Sequence, residues 1–376
     1  MSKTAKVIVW IVVILLVIWV LSSLTGTSKP TSTGPIEIGW IAPLTGDAAN
    51  IGQNEQAATQ LAVDEINKAG GVNGRQIQVI YEDGQCTGTP ASNAANKLIN
   101  IDKVPAILGG ACSGETMAFT AAAEQSKTVV LSPCSSNPAI TNAGDYIFRD
   151  YPSDSYQGSN AANYIFNTLG KKKVAVLYVQ GDYEEGIKTV FVDNFQKLGG
   201  TIVADESAAP ATTDFRSQLT KIKAAKPDLV YFLSYTNEAT LGIKQARELR
   251  INVPFFGGDS WDDAKLWSAV GSAGEGSMYT VVSTPLTDAF KAAMEAKTGN
   301  NSITVCSAEA YDGIKILAQV ISKVGTDPTA IKNELYKTVY TGGVSASSIS
   351  FDSNGDLVGA AYNIMVVHKG AASVSK

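Results

Sequence analysis

Residues 36–83 read IEIGWIAPLTGDAANIGQNEQAATQLAVDEINKAGGVNGRQIQVIYED. The β-rich run IEIGWIA (36–42) predicts a strand, and PLTGDAANIG after it a loop. Ala58, Leu61, Ala62 and Ile66 recur at helical spacing, which predicts a helix from about Gln53 to Lys68. The glycine pair of AGGVNG supplies a left-handed stop and the next turn, and IQVIYED (77–83) is a second strand. Strand, helix, strand in that order is the unit of a parallel sheet.

The pattern repeats on both sides of Arg149. Helix 91–101, strand AILGG, helix 114–125 and strand TVVLSP come before it. After it come helix 154–169, strand KVAVLYV, helix 184–198, strand TIVADE, helix 213–224, strand LVYFLS, helix 237–249 and strand VPFFGG. The fold class expected is α/β, with two doubly wound lobes. Such sheets bind ligands beyond the carboxyl ends of their strands, where strand order switches. Two lobes facing each other across a hinge place that site in a cleft.

Ahead of this body, Val7 to Leu21 is wholly apolar, preceded by Lys3 and Lys6 and followed by SSLTGTSKPTSTGP. Through Leu24 the run spans about 27 Å as a helix, close to a bilayer core. It reads as a signal anchor or a signal peptide (1–24), with a flexible Ser/Thr/Gly/Pro tether at 25–35. Its length favours retention, and the two lysines favour a cytoplasmic N-terminus. The body is then extracytoplasmic, anchored to the membrane, or secreted if the segment is cleaved. No cysteine lies near enough for lipidation.

Net charge is −5 with both signs mixed, so nucleic acid is not an expected partner. The single histidine, His368, lies near the C-terminus, which removes most His-dependent catalytic triads and His-bearing metal sites. GDSW (258–261) lacks a partner histidine, and GACSGE is not a nucleophile elbow. No Gly-x-Gly-x-x-Gly opens a helix after the first strand. DSNGD (352–356) has Leu357 where a calcium loop needs glycine, so a hairpin turn on Asn354-Gly355 is expected. Neither an enzyme nor a cofactor is expected.

IGWIAPLTG, AVDEINKAGGVNGRQIQVIYED, CSGET (112–116), SPCSSNPAIT (132–141), YIFRDYPSDSYQG (146–158) and VQGDYEEG (179–186) resemble, in order and spacing, the type I solute-binding proteins that deliver leucine, isoleucine and valine to ABC transporters. The resemblance runs from about Ile36 to His368. It implies a three-crossing hinge, with lobe 1 at 36–151 and 282–347 and lobe 2 at 152–281 and 348–376. It also implies an amino-acid ligand, probed by closure of the lobes, and a permease partner. The alternative is a ligand-sensing ectodomain that signals to a membrane partner, although Met1 to Lys6 is too short to signal by itself.

An α-amino acid in a dry cleft needs partners for both of its charges. By resemblance, Ser113 grips the carboxylate from a helix start, or merely caps that helix. Cys134 and Ser136 contact the ligand's α-amino and carboxyl groups. Asp259 is the ammonium partner, or otherwise a solvated acid capping a helix that starts near Asp262. Asp154 matches a second polar position, or caps a helix. Tyr183 and Tyr235 match aromatic positions that close over the ligand. Ile51 and Cys306 stand where the family presents larger aromatic groups, which leaves room for a longer or bulkier side chain. Cys86 and Cys112, expected at the ends of adjacent strands, match a family disulfide. Cys134 and Cys306 form a second disulfide or face the cleft as free thiols.

Overall fold

The computed structural model describes residues 34–299 and 303–375. The expected membrane or signal helix (1–24) and the tether through residue 33 lie outside the described residues. Among the described residues no helix is long and apolar enough to cross a membrane.

The first half builds β1 (Ile36–Ala42), α1 (Ala49–Lys68), β2 (Ile77–Asp83), α2 (Gly88–Lys97), β3 (Ala106–Gly109), α3 (Ser113–Ser126), β4 (Val129–Ser132) and β5 (Ile147–Arg149). These strands form a five-stranded parallel sheet in the order β2-β1-β3-β4-β5. The second half builds α4 (Asp154–Asn163), β6 (Lys173–Val179), α5 (Asp182–Lys197), β7 (Thr201–Ala208), α6 (Arg216–Ala225), β8 (Leu229–Leu233), α7 (Thr236–Glu248), β9 (Phe255–Gly257), α8 (Ala264–Val270) and β10 (Met278–Val282). Then follow α9 (Asp288–Thr298), α10 (Ser307–Val324), α11 (Pro328–Leu335), the short pair β11 (Val339–Thr341) and β12 (Ser348–Ser350), and β13 (Tyr362–His368) with β14 (Ala371–Val374). The second sheet has seven strands in the order β14-β13-β10-β9-β8-β6-β7, all in one direction except β13, which pairs antiparallel with both β10 and β14.

The run KVAVLYV illustrates why such strands read as continuously apolar. Ala175, Leu177 and Val179 enter one buried cluster with Phe232 and Phe255, while Val174 and Val176 enter another with Tyr231 and Phe256. Helices cover both faces of the sheet, so both sides of the pleat must be apolar.

The chain does not stay in one lobe. Phe290 and Met294 of α9, Ile314 and Leu317 of α10, and Ile331 of α11 pack with Trp40, Ala58 and Leu131 of the first lobe. The chain therefore leaves the first lobe after β5, returns after β10, and leaves again between β12 and β13. The first and third crossings are fastened together. Buried Arg149 donates from Nε to Asp356 Oδ1 (2.6 Å) and from Nη2 to Oδ2 (2.9 Å), and the Arg149 N–H donates to Gly355 O (3.0 Å). The 352–356 segment is a tight turn, with Asp352 Oδ1 accepting from the Asn354 and Asp356 N–H groups.

Two sequence expectations need correction. Helix α1 begins at Ala49, ahead of the start expected near Gln53. Gly52 lies within its first turn against the Pro43 carbonyl, where a Cβ would come within 2.0 Å of the oxygen. The strands preceding Cys86 and Cys112 are not adjacent, since β1 lies between β2 and β3. The Cys86–Cys112 bridge is formed nonetheless, with a Cα–Cα distance of 5.2 Å, and spans the end of β1. Cys134 and Cys306 are also bridged, at 5.2 Å, across 172 residues of chain.

Candidate ligand cavity between the lobes

Strand order reverses between β1 and β3 in the first sheet and between β6 and β8 in the second, and the loops leaving these strands converge. Ile51, Ala111, Ser113, Cys134, Ser136, Val305 and Cys306 come from the first lobe. Tyr183, Tyr235, Asp259 and Ser260 come from the second. Together they line a small cavity of about 20 Å³. Every residue singled out from the sequence lines this cavity except Asp154.

Asp259 follows β9 and is 4 % exposed. The Tyr151 hydroxyl donates to its Oδ2 (2.5 Å) and the Tyr183 hydroxyl to its Oδ1 (2.7 Å). Gly258 permits that approach, since a Cβ there would lie 2.2 Å from the Tyr183 hydroxyl. Asp259 does not cap the following helix. That is done by Asp263, whose Oδ1 accepts from the Lys265 N–H (2.8 Å). Burial pushes the Asp259 carboxyl above its ordinary range against the pull of its two phenol donors. Among the described residues lining the cavity there is no Lys, Arg or His. The acid thus has no cationic partner among the described residues that line the cavity.

Ser113 is the first residue of α3, where the leading N–H groups have no intrahelical acceptor. Cys112 rather than Ser113 occupies the capping position, and the Glu115 carboxylate accepts from the Cys112 and Cys86 N–H groups. Ser113 Oγ instead accepts from the N–H groups of Ser136 (3.3 Å) and Asn137 (3.1 Å). With two donors on its oxygen, its own hydroxyl proton remains to be donated, and it faces the cavity. A helix N-terminus with a free hydroxyl donor suits an anion.

Asp154 lies behind this wall rather than in it. It is fully buried, and its Oδ2 accepts from the Ser136 hydroxyl (2.8 Å). Ser153 is the residue that caps α4. Burial, together with the nearby Asp259 charge, pushes the Asp154 carboxyl well up. Tyr183 and Tyr235 pack together with ring centroids 5.7 Å apart. The room expected beside Ile51 is partly taken by the Cys134–Cys306 bridge.

Tyr151, Ser260, Val305 and Ala111 were not singled out from the sequence. Ser260 and Val305 adjoin residues that were, and Tyr151 stands inside the quoted YIFRDYPSD. Nothing local marks Ala111. At the cleft mouth, Asn237 Nδ2 donates to Asp47 Oδ1 (2.6 Å) and Lys265 Nζ to Asn50 Oδ1 (2.5 Å), each bond joining the two lobes.

This arrangement, two doubly wound lobes closing on a small cavity with one acid and one helix end, is that of a bilobal solute receptor. A family model described as periplasmic binding protein matches residues 35–371, and the chain belongs to that family. The chain is 30% identical over 346 residues to the leucine-, isoleucine-, valine-, threonine-, and alanine-binding protein of Pseudomonas aeruginosa, covering 89% of this chain and 91% of the relative. A Leu/Ile/Val-binding protein of Rhizobium johnstonii is 28% identical, with 89% and 92% covered. Among solved structures, a leucine binding protein from Thermotoga maritima superposes with a TM-score of 0.83 at 28% identity, covering 91% of this chain and 98% of its own. A branched-chain amino acid transporter substrate binding protein from Streptococcus pneumoniae, in complex with isoleucine, gives 0.81 at 32% identity, covering 91% and 99%. The fold alone does not fix the ligand. A solute binding protein from R. palustris in complex with benzoate gives 0.81 at 21% identity, covering 91% and 95%.

Proposed function

We propose that this protein is the extracytoplasmic receptor of an ABC transporter, closing its lobes on one aliphatic α-amino acid and presenting it to a membrane permease. The observation that carries this reading is the unpaired buried acid. Asp259 is held by two phenol hydroxyls in a cavity whose described lining has no base, opposite the N-terminus of α3. The ligand's ammonium pairs with Asp259. Its carboxylate takes the Ser113 hydroxyl and the helix N–H groups, beside Ser136, whose own hydroxyl and N–H are held by Asp154 and Ser113. Its side chain lies toward Ile51, Val305 and the Cys134–Cys306 bridge, and Tyr183 and Tyr235 close over it. A ligand touching both walls favours the closed state by its differential contacts. The apolar segment at 7–21 carries the body across the membrane and anchors it there.

Thermal shift on the full chain, stripped of co-purified ligand, tests this against a panel of amino acids and organic acids. A ligand that binds only the folded state adds about 2.7 kcal/mol of stability at a hundredfold excess over its Kd. A rise in melting temperature with aliphatic L-amino acids, absent with their des-amino analogues, supports the reading. A rise with carboxylic acids lacking an amino group, and none with amino acids, overturns it.

A further inference from the structure

The Cys134–Cys306 bridge is the part of the lining whose chemistry is least ordinary. Cys134 and Cys306 line the cavity together with Ile51 and Val305. Glu55 of α1 stands next to them and does not line the cavity. One of its carboxylate oxygens and both sulfurs lie within 4.8 Å of one another. Glu55 is 0 % exposed, and neither carboxyl oxygen has a partner among the described residues. Burial, together with the charges of Glu115, Glu309 and Asp150, pushes its carboxyl well above the ordinary range. The bridge therefore separates the cavity from an unsatisfied buried acid.

The bridge also fixes the backbone on both of its sides. Cys134 lies two residues before Ser136, on the loop whose N–H groups hold Ser113 Oγ. Cys306 caps the 18-residue α10 with a left-handed backbone, φ +71°, which is rare for a residue with a side chain. Such a conformation persists where the surroundings over-determine it. Here the covalent tie to the Cys134 loop is one of those surroundings.

Building on the amino-acid reading, we infer that the Cys134–Cys306 disulfide is a specificity-determining wall. It presents an apolar, polarizable surface to an aliphatic side chain and screens Glu55 from it. Without the bridge, the wall gains two polar S–H or O–H groups, Cys306 is released, and the route to Glu55 opens. Long or polar side chains then gain relative to branched aliphatic ones.

The test is calorimetric titration of the full chain with leucine, isoleucine, valine, threonine, methionine and glutamine, with EDTA present to exclude metal binding by freed thiols. The oxidised protein is compared with the Cys134→Ser/Cys306→Ser variant, in which Cys86–Cys112 stays intact. The expected result is at least a tenfold loss for the best aliphatic ligand and a changed order of preference toward glutamine or methionine. If the variant shows no cooperative melt, the comparison passes to the natural protein reduced after folding. A phosphine is the reductant there, taking oxygen from water as each disulfide yields two thiols, and mass mapping confirms the thiols at 134 and 306. Affinities within twofold and an unchanged order, in the folded variant or the reduced protein, overturn the inference. Failure of the oxidised protein to bind any ligand of the panel is a different outcome. It sinks the amino-acid reading itself and this inference with it.

Discussion

The two walls of the cavity are built from opposite materials. The second lobe offers one carboxylate and two large phenols, Asp259 with Tyr183 and Tyr235. The first lobe offers small hydroxyls, a helix N-terminus and a disulfide, with no charge at the surface of the cavity. On the proposed reading, either wall alone would meet only one end of an amino acid, and both charges of the zwitterion would be paired out of solvent only when the walls meet. The partner of the buried acid would then arrive with the ligand.

Removing the charged wall has the largest expected effect. On the proposed reading Asp259→Ala leaves a buried ammonium unpaired, which costs about 3–5 kcal/mol and lowers affinity roughly a hundred- to several thousandfold. Titration calorimetry measures this, and a loss of less than tenfold would reassign the ammonium to the first lobe. The ligand-free variant loses a desolvated acid but leaves the Tyr151 and Tyr183 hydroxyls without that acceptor, so it should melt close to the parent.

Acidity sharpens the comparison in the free protein, because both walls are backed by buried acids. Burial pushes Glu115 to about 7 and Glu309 to about 8 in the first lobe, and Glu184 to about 8 in the second. Each binds its proton more tightly folded than unfolded. The stability they contribute is therefore full below the ordinary carboxylate range and is lost as pH rises through about 7–8. The melting temperature of the ligand-free protein should fall as pH rises from about 5 to about 8. A melting temperature that rises over that window would contradict the burial of these groups.

The uncharged wall should matter less than the acid. Ser113→Ala removes one hydrogen bond to the ligand carboxylate, worth about 1.5–3 kcal/mol, or roughly ten- to a hundredfold in Kd. An effect as large as that of Asp259→Ala would mean that the first lobe dominates recognition. The smallest effect belongs to the rim. Asn237→Ala removes one exposed contact to Asp47 across the mouth and should weaken binding by about 0.5–1 kcal/mol, seen as faster ligand release in stopped flow.

Much of this was legible in the chain. Alternating strand and helix patterns announced the parallel sheets. The family motifs placed Ser113, Ser136, Tyr183, Tyr235 and Asp259 at strand ends, where the cavity lies. The readings that failed were those depending on how the loops pack. Helix α1 was expected to begin near Gln53, yet it begins at Ala49, with Gly52 packed against the Pro43 carbonyl. Asp154 looked like a cavity residue or a cap, yet Ser136 stands in front of it and Ser153 does the capping.

The sequence by itself determined the local elements, since apolar periodicity and glycine stops are properties of neighbouring residues. It also determined which side chains stand at the ends of strands. Only the tertiary structure decided that Cys134 and Cys306, 172 residues apart, close one wall together, and that Asp259 meets no cation among the described residues of the cavity lining. Pairing and desolvation depend on what else arrives at the same point in space, and no local pattern encodes that.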